Sequence, residues 1–78
     1  MKRPIYEIAK EIKKEWGAKV YYGAAPYLDA MFYLSHPSDK YGFDSGSEVL
    51  RYFLSNASTF RGESAKRLKA EIKDILED

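Results

Sequence analysis

Leu50-Arg51-Tyr52-Phe53-Leu54-Ser55-Asn56-Ala57-Ser58-Thr59-Phe60-Arg61-Gly62-Glu63, continued to Ile75, decides how this chain is read. Val49, Leu50, Phe53, Leu54 and Ala57 recur at steps of three and four and share one broad helical face. Ala65, Leu68, Ile72, Ile75 and Leu76 repeat the pattern after a polar interval. The stretch therefore predicts two helices meeting at a corner, Ser55 to Glu63. In that corner Asn56, Ser58 and Thr59 are read as partners for the free amides and carbonyls of the helix ends. Phe60 is read as an apolar plug under the turn, and Gly62 as a point of close helix approach.

Upstream, Ser45-Gly46-Ser47-Glu48 has the form of a capping box and sets the start of helix three. Helix one begins at Pro4, whose missing donor suits a first turn; Ile5, Ile8, Ala9, Ile12 and Trp16 form its buried stripe, and Gly17 ends it. Helix two carries Pro26 early, with Tyr27, Ala30, Met31 and Leu34 on its inner face and Leu28, Phe32 and Tyr33 widening the arc. Lys19 to Gly23 has strand composition but is too short and isolated for a sheet, so an extended crossing is expected. Ser35 to Gly42 is a polar interruption broken by Pro37. Together these give an all-α chain: one small, irregular four-helix domain over residues 1–78, with helices over 4–16, 24–35, 46–58 and 61–77. A short broken turn falls at 37–41. A Glu63–Arg67 pair at a spacing of four adds roughly 0.2–0.5 kcal/mol to helix four.

Composition narrows the function. The 13 basic and 12 acidic side chains leave a net charge of +1, spread evenly along the chain, so no segment carries the basic excess of a dedicated polyanion binder. Cysteine is absent, which removes disulfides, thiol catalysis and thiolate metal sites. His36 is the only histidine and has no second ligand at metal spacing, and the acids around Gly42 lack the ligand order of a calcium loop. No phosphate-binding glycine loop occurs. A Ser-His-acid set using His36 also needs an oxyanion site and a cleft that so small a body rarely provides. Neither a cofactor nor an enzymatic activity is expected. The absence of a long apolar run makes a cytoplasmic location the default expectation.

Two function readings follow. Seven Tyr on a chain of 78 residues suit a protein partner or self-association, with Tyr52, Asn56, Thr59, Arg61 and Glu63 as the candidate interaction surface around the corner. The alternative is a helix-turn-helix-like nucleic-acid binder using Arg61, Lys66, Lys69 and Lys73, with Arg67 on the same helix. Against it stand Glu63, Glu71, Asp74, Glu77 and Asp78, which share helix four.

Three strings, Pro4 to Ala9, Tyr22-Gly23-Ala24-Ala25-Pro26-Tyr27-Leu28-Asp29-Ala30-Met31 and Tyr52 to Glu63, resemble those of a group of small, uncharacterised proteins encoded by bacteriophages and prophages of Gram-positive bacteria. The resemblance implies a bacterial or phage intracellular setting. It assigns no activity and no functional residues.

Overall fold

The computed structural model describes residues 2–77; Met1 and Asp78, the latter one of the acids placed above on helix four, lie outside the described residues. The four expected helices are present: α1 (Ile5–Trp16), α2 (Ala25–Met31), α3 (Gly46–Ser55) and α4 (Glu63–Leu76). α1 and α3 each pack against both α2 and α4, closing around a core in which Ile8, Ile12, Met31, Leu50, Phe53, Leu68 and Ile72 are fully buried. On α2 the inward residues are Leu28, Ala30 and Met31, while Tyr27 is half-buried at the edge.

The helices start for different reasons. At α3 the capping box forms: the Glu48 amide donates to Ser45 Oγ at 3.2 Å and the Ser45 amide to Glu48 Oε1 at 2.9 Å. α1 has no side-chain cap. Its Ile5 and Tyr6 amides instead donate to the carbonyls of Ser35 and Leu34, at 3.0 and 2.9 Å, so the end of the α2 segment serves as a tertiary cap. Those carbonyls are free because α2 stops at Met31, short of the expected 35. Phe32, Tyr33 and Leu34 then bond three residues back in a tightened turn.

The connections also differ from expectation. Lys19 to Gly23 is not extended: a 3₁₀ turn over Gly17–Lys19 leads into a turn where the Tyr21 carbonyl accepts from the Ala24 and Ala25 amides. With no neighbouring strand to pair with, these backbone groups satisfy one another locally. After α2, the Asp39 carboxylate accepts from the Ser35 and His36 amides at 2.9 and 3.0 Å, fixing a turn from His36 to Asp39. A minimal hairpin follows, β1 (Lys40–Tyr41) antiparallel to β2 (Asp44–Ser45). Its two-residue loop is Gly42-Phe43, with Gly42 at φ 65 and Phe43 at negative φ, the signs of a type II′ turn. The hairpin delivers the chain to α3, where Gly46 donates to the Asp39 carbonyl at 2.7 Å. A β-carbon on Gly46 would stand 2.9–3.0 Å from the backbone of His36 and Pro37, so this helix starts on the residue type that permits the approach.

α1 and α4 run in opposite directions, joined by a charged seam. Arg3 bridges Glu71 at 2.6 Å and Glu11 at 2.9 Å, and Lys2 reaches Asp74. Arg67 pairs with Glu11 of α1, in place of the intrahelical Glu63 partner expected from spacing. Glu11 is half-buried and already faces Arg3, so it offers Arg67 a fixed carboxylate, whereas Glu63 is exposed at the helix start. Among the described residues no helix is long and apolar enough to cross a membrane.

Candidate functional site

The corner between α3 and α4 is first a packed joint. Phe60 is buried and stacks on Trp16, ring centroids 4.8 Å apart and planes at 21°; Trp16 in turn meets Phe53 edge-on at 6.1 Å. The Phe60 amide closes a turn onto the Ala57 carbonyl at 3.0 Å. Gly62 has a reason other than the expected close approach. Nothing lies within 4 Å of a β-carbon built there, but its φ of 113 and ψ of 179 fall in a region reserved for glycine.

The five residues expected to form one interaction surface divide between two sides. Asn56 Nδ2 donates to the Tyr52 carbonyl at 2.9 Å, and Asn56 Oδ1 lies 2.9 Å from where a Gly23 β-carbon would stand. Tyr52 rests on Tyr27 with ring centroids 5.4 Å apart. These two therefore belong with the α1–α2 turn. Arg61 folds back, its Nε donating to the Ser58 carbonyl at 3.2 Å, and its charge repels that of Lys69. Thr59 and Glu63 are exposed.

Charge on α4 is sorted by flank. Glu71, Asp74 and Arg67 point to α1 and are consumed in the seam with Lys2, Arg3 and Glu11. Lys66, Lys69 and Lys73 take the other flank and, with Arg61, make no ion pair among the described residues. The half-buried Lys69 ammonium lies 5.8 Å from the Phe60 ring centroid. Burial, then repulsion from Lys73 and Arg61, hold it below the ordinary lysine range.

A second surface joins Phe32 and Tyr33, which the widened apolar arc of helix two had marked, to a hairpin not singled out in the sequence. Phe43 at the hairpin tip is 103% exposed, Tyr33 is 76% and Tyr22 81%. Tyr33 and Tyr41 approach to 5.8 Å between ring centroids beside a shallow notch of about 560 Å³ lined by Lys13, Asp29, Phe32, Tyr33 and Tyr41. The signal for it was Tyr41-Gly42-Phe43-Asp44, a Gly-X pair between short extended segments, which is hairpin chemistry.

An open, mainly apolar cleft of about 920 Å³ lies between Lys2, Arg3 and Pro4, the loop Ser35, His36 and Pro37, and Ile75. Arg3 there is already bound to Glu71 and Glu11. His36 Nδ1 lies 2.7 Å from Ser38 Oγ and accepts the Ser38 amide, but the Asp39 carboxylate holds backbone amides instead of orienting the ring, as a catalytic triad requires. Among the described residues no group of three or more acids and histidines converges as a metal site.

Three carboxylates sit below their usual range. Asp39 is held there by the His36 and Ser35 amides, Glu48 by the Ser45 amide and hydroxyl, and Glu11 by its hydrogen bonds from Arg67 and Arg3. A carboxylate with a lower pKa folded than unfolded leaves the unfolded chain binding more protons, so stability rises with pH through that window. The thermal midpoint is therefore expected to be level above the ordinary carboxylate range, about pH 4, and to drop as pH falls through the depressed folded values. Melting curves of Asp39→Asn and Glu48→Gln should show a smaller acid drop; an unchanged drop in both refutes the assignment.

Comparison with protein families, with curated proteins and with solved structures finds no match for this chain.

Proposed function

We propose that the chain is a non-enzymatic protein-interaction module of the phage or prophage kind its sequence resembles, acting in the cytoplasm. The observation that carries this reading is Phe43, fully exposed at the tip of a two-residue hairpin loop and uninvolved in the core. A tight hairpin fixes the backbone that carries the ring, so a partner that covers it orders only the torsions of the side chain itself. Tyr33 and Tyr41 extend the apolar area, and Lys13 and Asp29 supply charges of both signs around the notch. An aromatic centre with a polar rim suits a protein surface.

Affinity purification from the native host, with a nuclease-treated control, is expected to recover a stoichiometric protein partner or a second copy of the chain. Phe43→Asp should weaken that association more than about tenfold, in the range of an aromatic hot spot, while the melting midpoint stays unchanged. A chain that is monomeric in sedimentation at cellular concentration, and recovers no partner dependent on Phe43 or Tyr33, overturns the reading.

A further inference from the structure

The acids of α4 argue against polyanion binding only where they share a surface with its lysines, and the two in the middle of the helix do not. Glu71 and Asp74 are neutralised by Arg3 and Lys2 on the α1 side. The remaining acids described, Glu63 and Glu77, border the lysine flank at its two ends, three residues before Lys66 and four after Lys73, and among the described residues neither is ion-paired to a lysine of that flank. Between those ends the flank presents Lys66, Lys69 and Lys73, with Arg61 beside them, and no carboxylate is paired to any of the four among the described residues. Lys69 is half-buried, and Lys66 and Lys73 lie three and four residues from it on the same side of α4, so like charges share this flank until an anion arrives. Screening confines the effect of charges on the far side to roughly 10 Å, so an even net charge does not cancel a local row.

We propose that Arg61, Lys66, Lys69 and Lys73 form a binding surface for the phosphate backbone of duplex DNA. Lys66 to Lys73 covers about 10 Å at 1.5 Å per residue, and the reach of four long cationic side chains widens that to a short run of neighbouring phosphates on one strand. The large exposed aromatics are Tyr21, Tyr22, Tyr33, Tyr41, Phe43 and Tyr52, and none belongs to residues 57–77. This flank therefore offers no platform for stacking bases, the usual device of single-strand binders. Nor are its cations gathered in the first turn of α4, where a recognition helix presents side chains to base edges. α4 lies along the backbone and binds independently of sequence.

Fluorescence anisotropy with labelled short duplexes of several sequences, the corresponding single strands and duplex RNA tests this. All DNA duplexes should bind alike, with log affinity falling against log salt at a slope of about −3 to −4 between roughly 20 and 200 mM salt, as three to four contacts predict. Lys69→Gln with Lys73→Gln should lower affinity more than about tenfold at low salt and flatten the slope by about 2. The melting midpoint of that variant should hold or rise, because the change relieves repulsion. Arg67→Gln removes one positive charge from the opposite flank and should leave affinity within about twofold, against at least about threefold for Lys69→Gln alone, since its guanidinium is not among the contacts that set the slope. The proposal is overturned by absence of duplex binding at low salt, by tighter binding to single strands or RNA, or by equal weakening from Arg67→Gln. Equal affinity for polyglutamate also overturns it, marking a surface for acidic protein.

Discussion

Phe53→Ala is expected to remove about 3 to 5 kcal/mol of stability, the range for deleting a fully buried aromatic ring. Phe53 has no solvent exposure and lies edge-on to Trp16, which itself carries Phe60, so the substitution opens a cavity where α3, the end of α1 and the corner meet. A chain of this size holds roughly 4 to 12 kcal/mol in total, so the loss takes a large share of it. In urea the midpoint should fall without a change in slope, and the melting temperature should drop by more than roughly 12 °C. Phe43→Ala is the matched control: the same residue type, fully exposed, is expected to change stability by less than about 0.5 kcal/mol. A drop of only a few degrees in Phe53→Ala contradicts the packing described; a large loss in Phe43→Ala contradicts the exposed hairpin tip.

Gly62→Ala should destabilise the chain by about 1 to 3 kcal/mol although nothing crowds the position. The backbone there combines φ 113 with ψ 179, and an L side chain at those angles clashes with its own peptide groups. Either α4 shifts its entry angle, which pulls Phe60 away from Trp16, or the strain is kept. Handedness supplies the discriminating test. D-Alanine placed at position 62 by chemical synthesis finds these angles in its own extended region and also narrows the unfolded ensemble, so it should stabilise by about 0.4 to 1 kcal/mol. Equal destabilisation by both forms points to a steric cause and removes the backbone explanation. This places glycine at the corner for conformation, where its position between two helices had suggested close approach.

The candidate surface was partly legible. The lysines at 66, 69 and 73 could be placed on one flank from helical spacing alone, because the period of α4 is fixed by its own apolar stripe, whereas Arg61 lies before the helix and its position depends on the corner. Their isolation from Glu71 and Asp74 could not, because the partners of those acids, Arg3 and Lys2, lie near the other end of the chain. The grouping of Tyr52 and Asn56 with Arg61 rested on closeness in sequence, and the fold separates them. Tyr52 and Asn56 meet Tyr27 and the space beside Gly23, while the charge of Arg61 bears on Lys69. Phe43 went unmarked as a surface because a single aromatic in a loop carries no period from which exposure can be read.

What the sequence determined by itself is what residues within about one helical turn of each other decide. That covers four amphipathic helices, the buried faces of α1, α3 and α4, and the Ser45–Glu48 capping box. Tertiary structure decided the features that depend on distant partners. α1 is capped by the Leu34 and Ser35 carbonyls once α2 stops early, and Gly46 is pressed to the backbone at His36 and Pro37. Arg67 is drawn to Glu11 and away from Glu63. In each case a backbone amide or charged group had a local partner or water available, and the chain's closure around its core supplied a fixed one instead.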